Sequence, residues 1–235
     1  MTTKTAKLKN YTIHFQNSEE YHHLKREIFT HDQYYFETEN PEPKIIDAGA
    51  HIGLSTLYFK SLYPAAHIIA IEPNPHLYEL LEKNIWENQL ENVTIIQGAL
   101  AETQGTEELF IDASKNKWWS TGSFIKGAWT TQQESNTLTV ETWPLSEFIT
   151  QPIDLLKLDI EGAEQRVIEG SLESLQLVDQ IQMEYHSTRS QNLFTLSEKL
   201  KELGFRLEYQ QDGKELKVFN IKQSKGLINV HAWQK

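Results

Sequence analysis

Six ionisable side chains crowd into two short stretches of the chain: Lys157, Asp159, Glu161 and Glu164 in the first, Glu184 and His186 in the second. Ile153 to Ile160 and Val178 to Tyr185 both read as strands, so the charges gather where two neighbouring strands end. Strand alternation puts Lys157 and Asp159 on one face. Charges inside an apolar strand demand a partner or a cavity. Two arrangements meet that demand. One is a Lys157–Asp159 or Lys157–Glu161 ion pair followed by ordinary helix-start acids. The other is a reaction centre, in which Asp159 or His186 takes a proton from a nucleophile while Glu161 and Glu184 orient it. Asp159 and Glu184 also offer hard oxygen ligands to a divalent cation, but the pattern does not decide that point and no metal is assigned.

A second group of residues points to a ligand. The strand beginning at Lys44 runs into Ile46-Asp47-Ala48-Gly49-Ala50-His51-Ile52-Gly53. Ligands of open α/β sheets sit at the carboxyl ends of strands, and glycine there allows a tight turn and close backbone approach. The helix starting near Gly53 offers free N–H groups, with Ser55 in its first turn. A dinucleotide fingerprint needs G-x-G-x-x-G, and His51 occupies its second glycine position. The spacing here is D-x-G-x-x-x-G. A carboxylate at Asp47 would crowd a pyrophosphate but could accept from an ammonium group. The next strand ends in Ile71-Glu72-Pro73, placing an acid where nucleoside-binding folds grip ribose hydroxyls. The third ends at Gln97-Gly98-Ala99-Leu100, where an adenine would pack on backbone and apolar groups. S-adenosylmethionine carries an ammonium, a sulfonium and a carboxylate and no phosphate, and it fits this loop better than a dinucleotide does.

The elements that must position these groups follow from periodicity. Tyr21, Leu24 and Ile28 predict an amphipathic helix over 18–30 that packs on the rest, followed by the extended aromatic run Tyr34-Tyr35-Phe36 and a proline break at 41–43. Strands at 44–48, 67–71 and 93–97 alternate with helices carrying Leu54, Leu57, Tyr58 and Leu62, then Leu77, Leu80, Leu81 and Ile85. Asn74-Pro75 supplies an N-cap and an N1 proline. Beyond the two charged strands, Val167, Ile168, Leu172 and Leu175 predict one helix. Leu193 to Leu203 predict another, closed by Gly204. Segments 205–209, 215–219 and 227–233 read as closing strands. Residues 112–136 break the alternation and suggest a lid or acceptor pocket, where Trp118 and Trp119 could stack on a ring or sugar face and Tyr35 could close the pocket from above.

With 235 residues, Lys plus Arg 22 and Asp plus Glu 33, the net charge is −11. Such a surface repels phosphate backbones, so no nucleic-acid partner is expected. The lysines between Lys4 and Lys9 read as a ragged, solvated terminus. There is no cysteine, which removes disulfides, thiolate nucleophiles and Cys-zinc sites. No apolar leader and no run near the roughly 20 residues of a membrane span is visible, so a cytoplasmic protein without a membrane partner is expected.

Asp47-Ala48-Gly49-Ala50-His51-Ile52-Gly53, Glu72-Pro73 and above all Leu156-Lys157-Leu158-Asp159-Ile160-Glu161-Gly162-Ala163-Glu164 resemble the FkbM-type methyltransferases. That resemblance implies a doubly wound α/β fold, seven-stranded and Rossmann-like, mostly parallel with antiparallel C-terminal strands. It divides the chain into an N-terminal cap or helical segment over 1–43 and a cofactor-binding domain over 44–235. It implies S-adenosyl-L-methionine as cofactor and O-methylation of a hydroxyl on a small molecule such as a sugar, polyketide or other secondary metabolite. Under it Asp47, Gly49, Gly53 and Glu72 bind cofactor, with Ala50, His51, Ser55, Pro73, Ala99 and Asp159 beside them. Asp159, Glu161 and Glu164 line the reaction centre. His51 stands where the family often has asparagine. Methylation of an amine or a peptide side-chain amide, a nicotinamide dehydrogenase and a non-catalytic nucleoside binder are the competing readings.

Overall fold

A computed structural model describes residues 2–112, 122–124, 135–188, 191–217, 221 and 226–234. The chain opens with a hairpin, β1 (Lys4–Leu8) and β2 (Tyr11–Phe15), then α1 (Ser18–Thr30). The alternating part follows: β3 (Lys44–Ala48), α2 (Leu54–Leu62), β4 (His67–Glu72), α3 (Pro75–Glu87) and β5 (Val93–Gln97). Next come four strands, β6 (Ala99–Ala101), β7 (Gly105–Asp112), β8 (Gly122–Ser123) and β9 (Ser135–Pro144). The chain closes with β10 (Ile153–Leu158), α4 (Glu164–Glu169), β11 (Val178–His186), α5 (Leu193–Glu202), β12 (Arg206–Gln211), β13 (Lys214–Glu215) and β14 (Leu227–Trp233).

The main sheet has the order β13-β12-β14-β11-β10-β3-β4-β5. Pairing is parallel from β11 to β5 and antiparallel wherever β14 takes part. This is the doubly wound sheet the pattern predicts, with one strand beyond the expected seven: two-residue β13 on the outer edge of β12. Of segment 215–219, Glu215 alone among the described residues enters the sheet, in β13 (Lys214–Glu215), while 218 and 219 lie outside the described residues. The strand order reverses between β3 and β10, which pair in register at Lys157↔Asp47 and Leu158↔Ala48. That switch point opens a crevice beyond the strand ends.

β10 shows why the sheet is central. All six residues of Ile-Asp-Leu-Leu-Lys-Leu are buried. Leu156 and Leu158 join Val167, Ile168 and Ile181 in one apolar cluster. Leu155 joins Ile45, Leu57, Tyr58 and Phe59 on the other face. A strand covered on both faces reads as a continuous apolar run, as this one does apart from its two charges.

Two expectations are corrected. Lys4 to Lys9 is no ragged terminus, because Lys4–Leu8 pairs antiparallel with β2 and Ile13 and Phe15 share the α2 cluster. The helix expected through Leu175 stops at Glu169, capped by Gly170, and Ser174–Leu177 is a separate 3₁₀ turn. The middle section is a second sheet, order β6-β9-β7-β8. Most of 112–136 lies outside the described residues. No helix among the described residues is long and apolar enough to cross a membrane.

The hairpin is held by an imitation of a strand. Asn84 on α3 and Asn88, the residue at its C-terminal cap, lie one turn apart and present amides to the open edge of β2. Asn84 Oδ1 accepts from His14 N at 2.7 Å, and its Nδ2 donates to His14 O at 3.0 Å and Ile52 O at 2.8 Å. Asn88 repeats the exchange with Thr12 N and O. Asn84 is fully buried, so its loss strands three buried backbone groups. Asn84→Ala is expected to cost roughly 2–4 kcal/mol, seen as a lower denaturant midpoint at unchanged slope. A loss below about 0.5 kcal/mol would contradict this role.

Candidate functional site

A cavity of about 640 Å³ opens over the carboxyl ends of β3, β4, β10 and β11. Its floor is a glycine turn built under tight constraint. Gly49 adopts φ +76, and a Cβ there would lie 1.8 Å from the backbone oxygen of Asp159. Gly49 N and Ala50 N both donate to Ile71 O at 3.0 Å, lashing the turn to β4. His51 sits at φ 54. In that left-handed region asparagine, aspartate and histidine are the tolerated side chains, which explains how histidine replaces asparagine there.

Beneath the turn lies Lys157, 2% exposed. Its ammonium donates to Gly49 O at 2.6 Å and Ala48 O at 3.3 Å. It also faces Asp47 Oδ1 at 3.3 Å and Asp159 Oδ2 at 3.7 Å. Burial pulls the Lys157 pKa down, but Asp47 and Asp159 outweigh it, so the group stays charged. Asp47 Oδ2 accepts from Ser55 Oγ and Thr56 Oγ1, both at 2.7 Å. Lys157, Asp47 and Ser55 are therefore occupied below the turn and do not line the cavity. Of the ion pairs expected from the sequence, Lys157–Asp159 is present, and Asp47, which the sequence reading did not name as a partner, lies nearer.

The β4 end is different. Glu72 faces the cavity, with Oε2 accepting from His51 N and Oε1 from Asn74 N, each at 2.9 Å. Burial raises its pKa, while His51 and those two amides pull it back. His51 Nε2 meets Glu20 Oε1 of α1 at 3.0 Å. Burial disfavours the imidazolium, but Glu20 reverses the sign and raises the His51 pKa. Pro73, Ala99 and Gly98 complete this wall.

Opposite stands the acid cluster. Tyr34 Oη donates to Asp159 Oδ2 at 3.2 Å, and Gln33 Nε2 donates to Glu184 Oε2 at 2.6 Å. His186 lies between two carboxylates, Glu161 Oε2 at 3.0 Å and Glu164 Oε1 at 2.9 Å. Burial works against its charge, yet the bonds to Glu161 and Glu164 hold its pKa up at about 12. An imidazolium has no lone pair for a proton, and both ring nitrogens already face carboxylates, which weighs against His186 as the base. Glu184 moves the other way: burial and Asp159 push its carboxyl up to about 8. Asp159, Glu184 and His186 bring potential ligand atoms within 4.8 Å of one another. Both nitrogens of His186 already face carboxylates, so Asp159 and Glu184 are the oxygens free to meet a cation.

Of the sequence-predicted residues, Gly49, His51, Glu72, Pro73, Ala99, Asp159, Glu161, Glu184 and His186 line the cavity. Ala50, Gly53 and Glu164 do not. Glu164 is fully buried, accepting from Gly162 N and holding His186 from behind. Tyr35 turns outward to Glu37, and its neighbour Tyr34 enters the site instead. Trp118 and Trp119 lie outside the described residues. The sequence reading missed α1 as a wall: Glu20, His23, Leu24, Glu27 and Ile28 all reach the cavity. Its polar face carried the signal, because acids and histidine recur there at helical spacing.

A seven-strand core in this order, with a glycine turn and an acid at adjacent strand ends, defines the Rossmann-like methyltransferase fold. Residues 47–207 match the Methyltransferase FkbM domain, and the chain belongs to this FkbM methyltransferase family. Methyltransferase sdnD of Sordaria araneosa is 33% identical over 174 residues, 63% of this chain and 67% of that protein. The 2-O-methyltransferase NoeI of Sinorhizobium fredii (strain NBRC 101917 / NGR234) is 26% identical over 159 residues, 63% and 65% of the two chains. Among solved structures, methyltransferase FkbM from Methylobacillus flagellatus KT superposes with a TM-score of 0.57 at 13% identity. That match covers 84% of this chain but 45% of the other, so this chain spans less than half of that longer one.

Replacing Lys157 by methionine would leave the Asp47 carboxylate buried without its cation and would remove the ammonium donor from Gly49 O. Lys157→Met is expected to lower stability by roughly 3–5 kcal/mol, measured by denaturant unfolding. A variant as stable as the parent would show that the turn does not depend on this charge.

Proposed function

We propose that the chain is an S-adenosylmethionine-dependent O-methyltransferase acting on a hydroxyl of a small molecule, a sugar, polyketide or related secondary metabolite. The observation that carries this reading is one cavity with Glu72 on one wall and Asp159 with Glu184 on the other. The first suits a nucleoside and the second suits deprotonation of an acceptor. Membership of the FkbM family supports methyl transfer, and the name of the NoeI relative supports oxygen as the acceptor atom.

The residues present fit the cofactor chemically. Each Glu72 oxygen accepts one backbone N–H and keeps lone-pair capacity for a ribose hydroxyl. His51 Nδ1 is buried without a hydrogen-bond partner among the described residues, and the Glu20 pair favours the cationic ring, whose Nδ1–H can donate to a carboxylate. Glu20, Glu27, Glu72, Asp159, Glu161 and Glu184 all line the cavity, a negative lining that favours a ligand bearing sulfonium and ammonium charge. When bound, S-adenosylmethionine supplies an electrophilic methyl group.

The chain's own residues do the rest. Asp159, held at Oδ2 by Tyr34, accepts the acceptor hydroxyl's proton on its free oxygen. Tyr34 stays protonated, because burial and then Asp159 raise its pKa well above the ordinary range. His186 holds Glu161 at the cavity rim, and Glu161 and Glu184 orient the acceptor. Leu24, Ile28, Leu109 and Phe124 exclude water from the space between. Positioning supplies most of the rate, as in any in-line transfer between two held reactants.

Calorimetric titration with S-adenosylhomocysteine and scintillation counting of labelled methyl on hydroxylated metabolites test this together. Wild type is expected to bind, Glu72→Ala to lose binding, and NADH to give no heat. Asp159→Asn is expected to keep measurable binding while turnover falls about 10²–10⁴-fold. The rate should rise with pH as Glu184 loses its proton, near about 8, since only the unprotonated carboxyl pair accepts another. Near-normal turnover by Asp159→Asn would refute the base assignment, and label found on nitrogen would refute O-methylation.

A further inference from the structure

We propose that Asn74 recognises the cofactor's ribose, its side-chain Nδ2 donating to a ribose hydroxyl oxygen whose hydrogen goes to Glu72. The proposal rests on the cofactor reading above and adds a residue to which the sequence assigns only a helix cap. Asn74 is 1% exposed and lines the cavity directly beside Glu72. Its backbone N–H is committed to Glu72 Oε1. Its Oδ1 accepts from His76 N at 3.0 Å and so caps α3. That bond fixes which way round the amide lies, since an NH₂ group there could not accept from His76 N. The remaining Nδ2 is buried and has no hydrogen-bond partner among the described residues.

An orphaned donor in a buried wall is costly unless a ligand meets it. The cap alone does not call for an amide, because serine and aspartate cap as well as asparagine. What asparagine adds is the unpartnered NH₂. Glu72 accepts only, whereas each ribose hydroxyl both donates and accepts. A hydroxyl that donates to Glu72 therefore still wants a donor for its own oxygen. The other groups next to Glu72 supply none: His51 N is already bonded to Glu72, and Pro73 has no N–H. Asn74 Nδ2 is the complementary donor at that spot.

Asn74→Ser and Asn74→Asp both retain a cap and remove the NH₂. Each is titrated calorimetrically with S-adenosylhomocysteine and with its 2′-deoxy and 3′-deoxy analogues. Both variants are expected to bind S-adenosylhomocysteine about tenfold or more weakly, with thermal midpoints within about 3 °C of the parent because the cap survives. For the analogue lacking the accepting hydroxyl, the deficit of Asn74→Ser should largely vanish. Variants binding as tightly as the parent would overturn the role of Asn74 and leave the cofactor reading intact. A deficit undiminished with both analogues would do the same. Failure of the parent itself to bind would remove the cofactor reading and this inference together.

Discussion

One buried ammonium sets the geometry of this molecule. At the switch point between β3 and β10, Lys157 sits among Asp47, Asp159 and the carbonyls of Ala48 and Gly49. A charge in that position loses its hydration and must be repaid by several partners at once. Each partner it takes belongs to a different part of the site. Asp47 ties in the first turn of α2 through Ser55 and Thr56. The two carbonyls pull the glycine turn down onto the sheet, and Asp159 is drawn to the cavity's edge. Buried ion clusters add little net stability over an apolar core, so specifying one conformation of the turn is the more fitting purpose.

Above that base the carboxylates divide into those that are neutralised and those that are left exposed to the cavity. Lys157 answers Asp47. His186 answers Glu161 and Glu164 as an internal counter-ion. His51 answers Glu20. Asp159, Glu184 and Glu72 face the open space, each held by a neutral partner as well: Tyr34 on Asp159, which also meets Lys157, Gln33 on Glu184, backbone amides on Glu72. Residues from the segment around α1 supply two of those partners, so the N-terminal part of the chain is a working wall of the cavity.

Much of this was legible in the residues. Periodicity placed α1 at its observed bounds, Asn74-Pro75 marked the start of α3, and the charged positions fell at strand ends because parallel sheets put ligands there. What escaped shares a cause: it depends on contacts between distant segments. β1 looked solvated because Asn84 and Asn88, which satisfy its partner strand, lie some 70 residues onward. Tyr35 was preferred to Tyr34 because an irregular segment has no period from which to read a side chain's direction. Glu164 and Glu161 look equivalent in sequence, yet φ 56 at Glu161 and the turn through Gly162 send one to the cavity and bury the other. Asn74 announced its cap and concealed its second amide function.

The central claim is that the space between Glu72 and Asp159 is a nucleoside-cofactor pocket resting on the turn that Lys157 holds. A crystal structure of the protein with S-adenosylhomocysteine tests it most directly. The account predicts ribose hydroxyls on the Glu72 carboxylate, with the ligand's sulfur facing the Asp159 and Glu184 wall. A ligand ordered elsewhere, with Glu72 still meeting only the amides of His51 and Asn74, would contradict it.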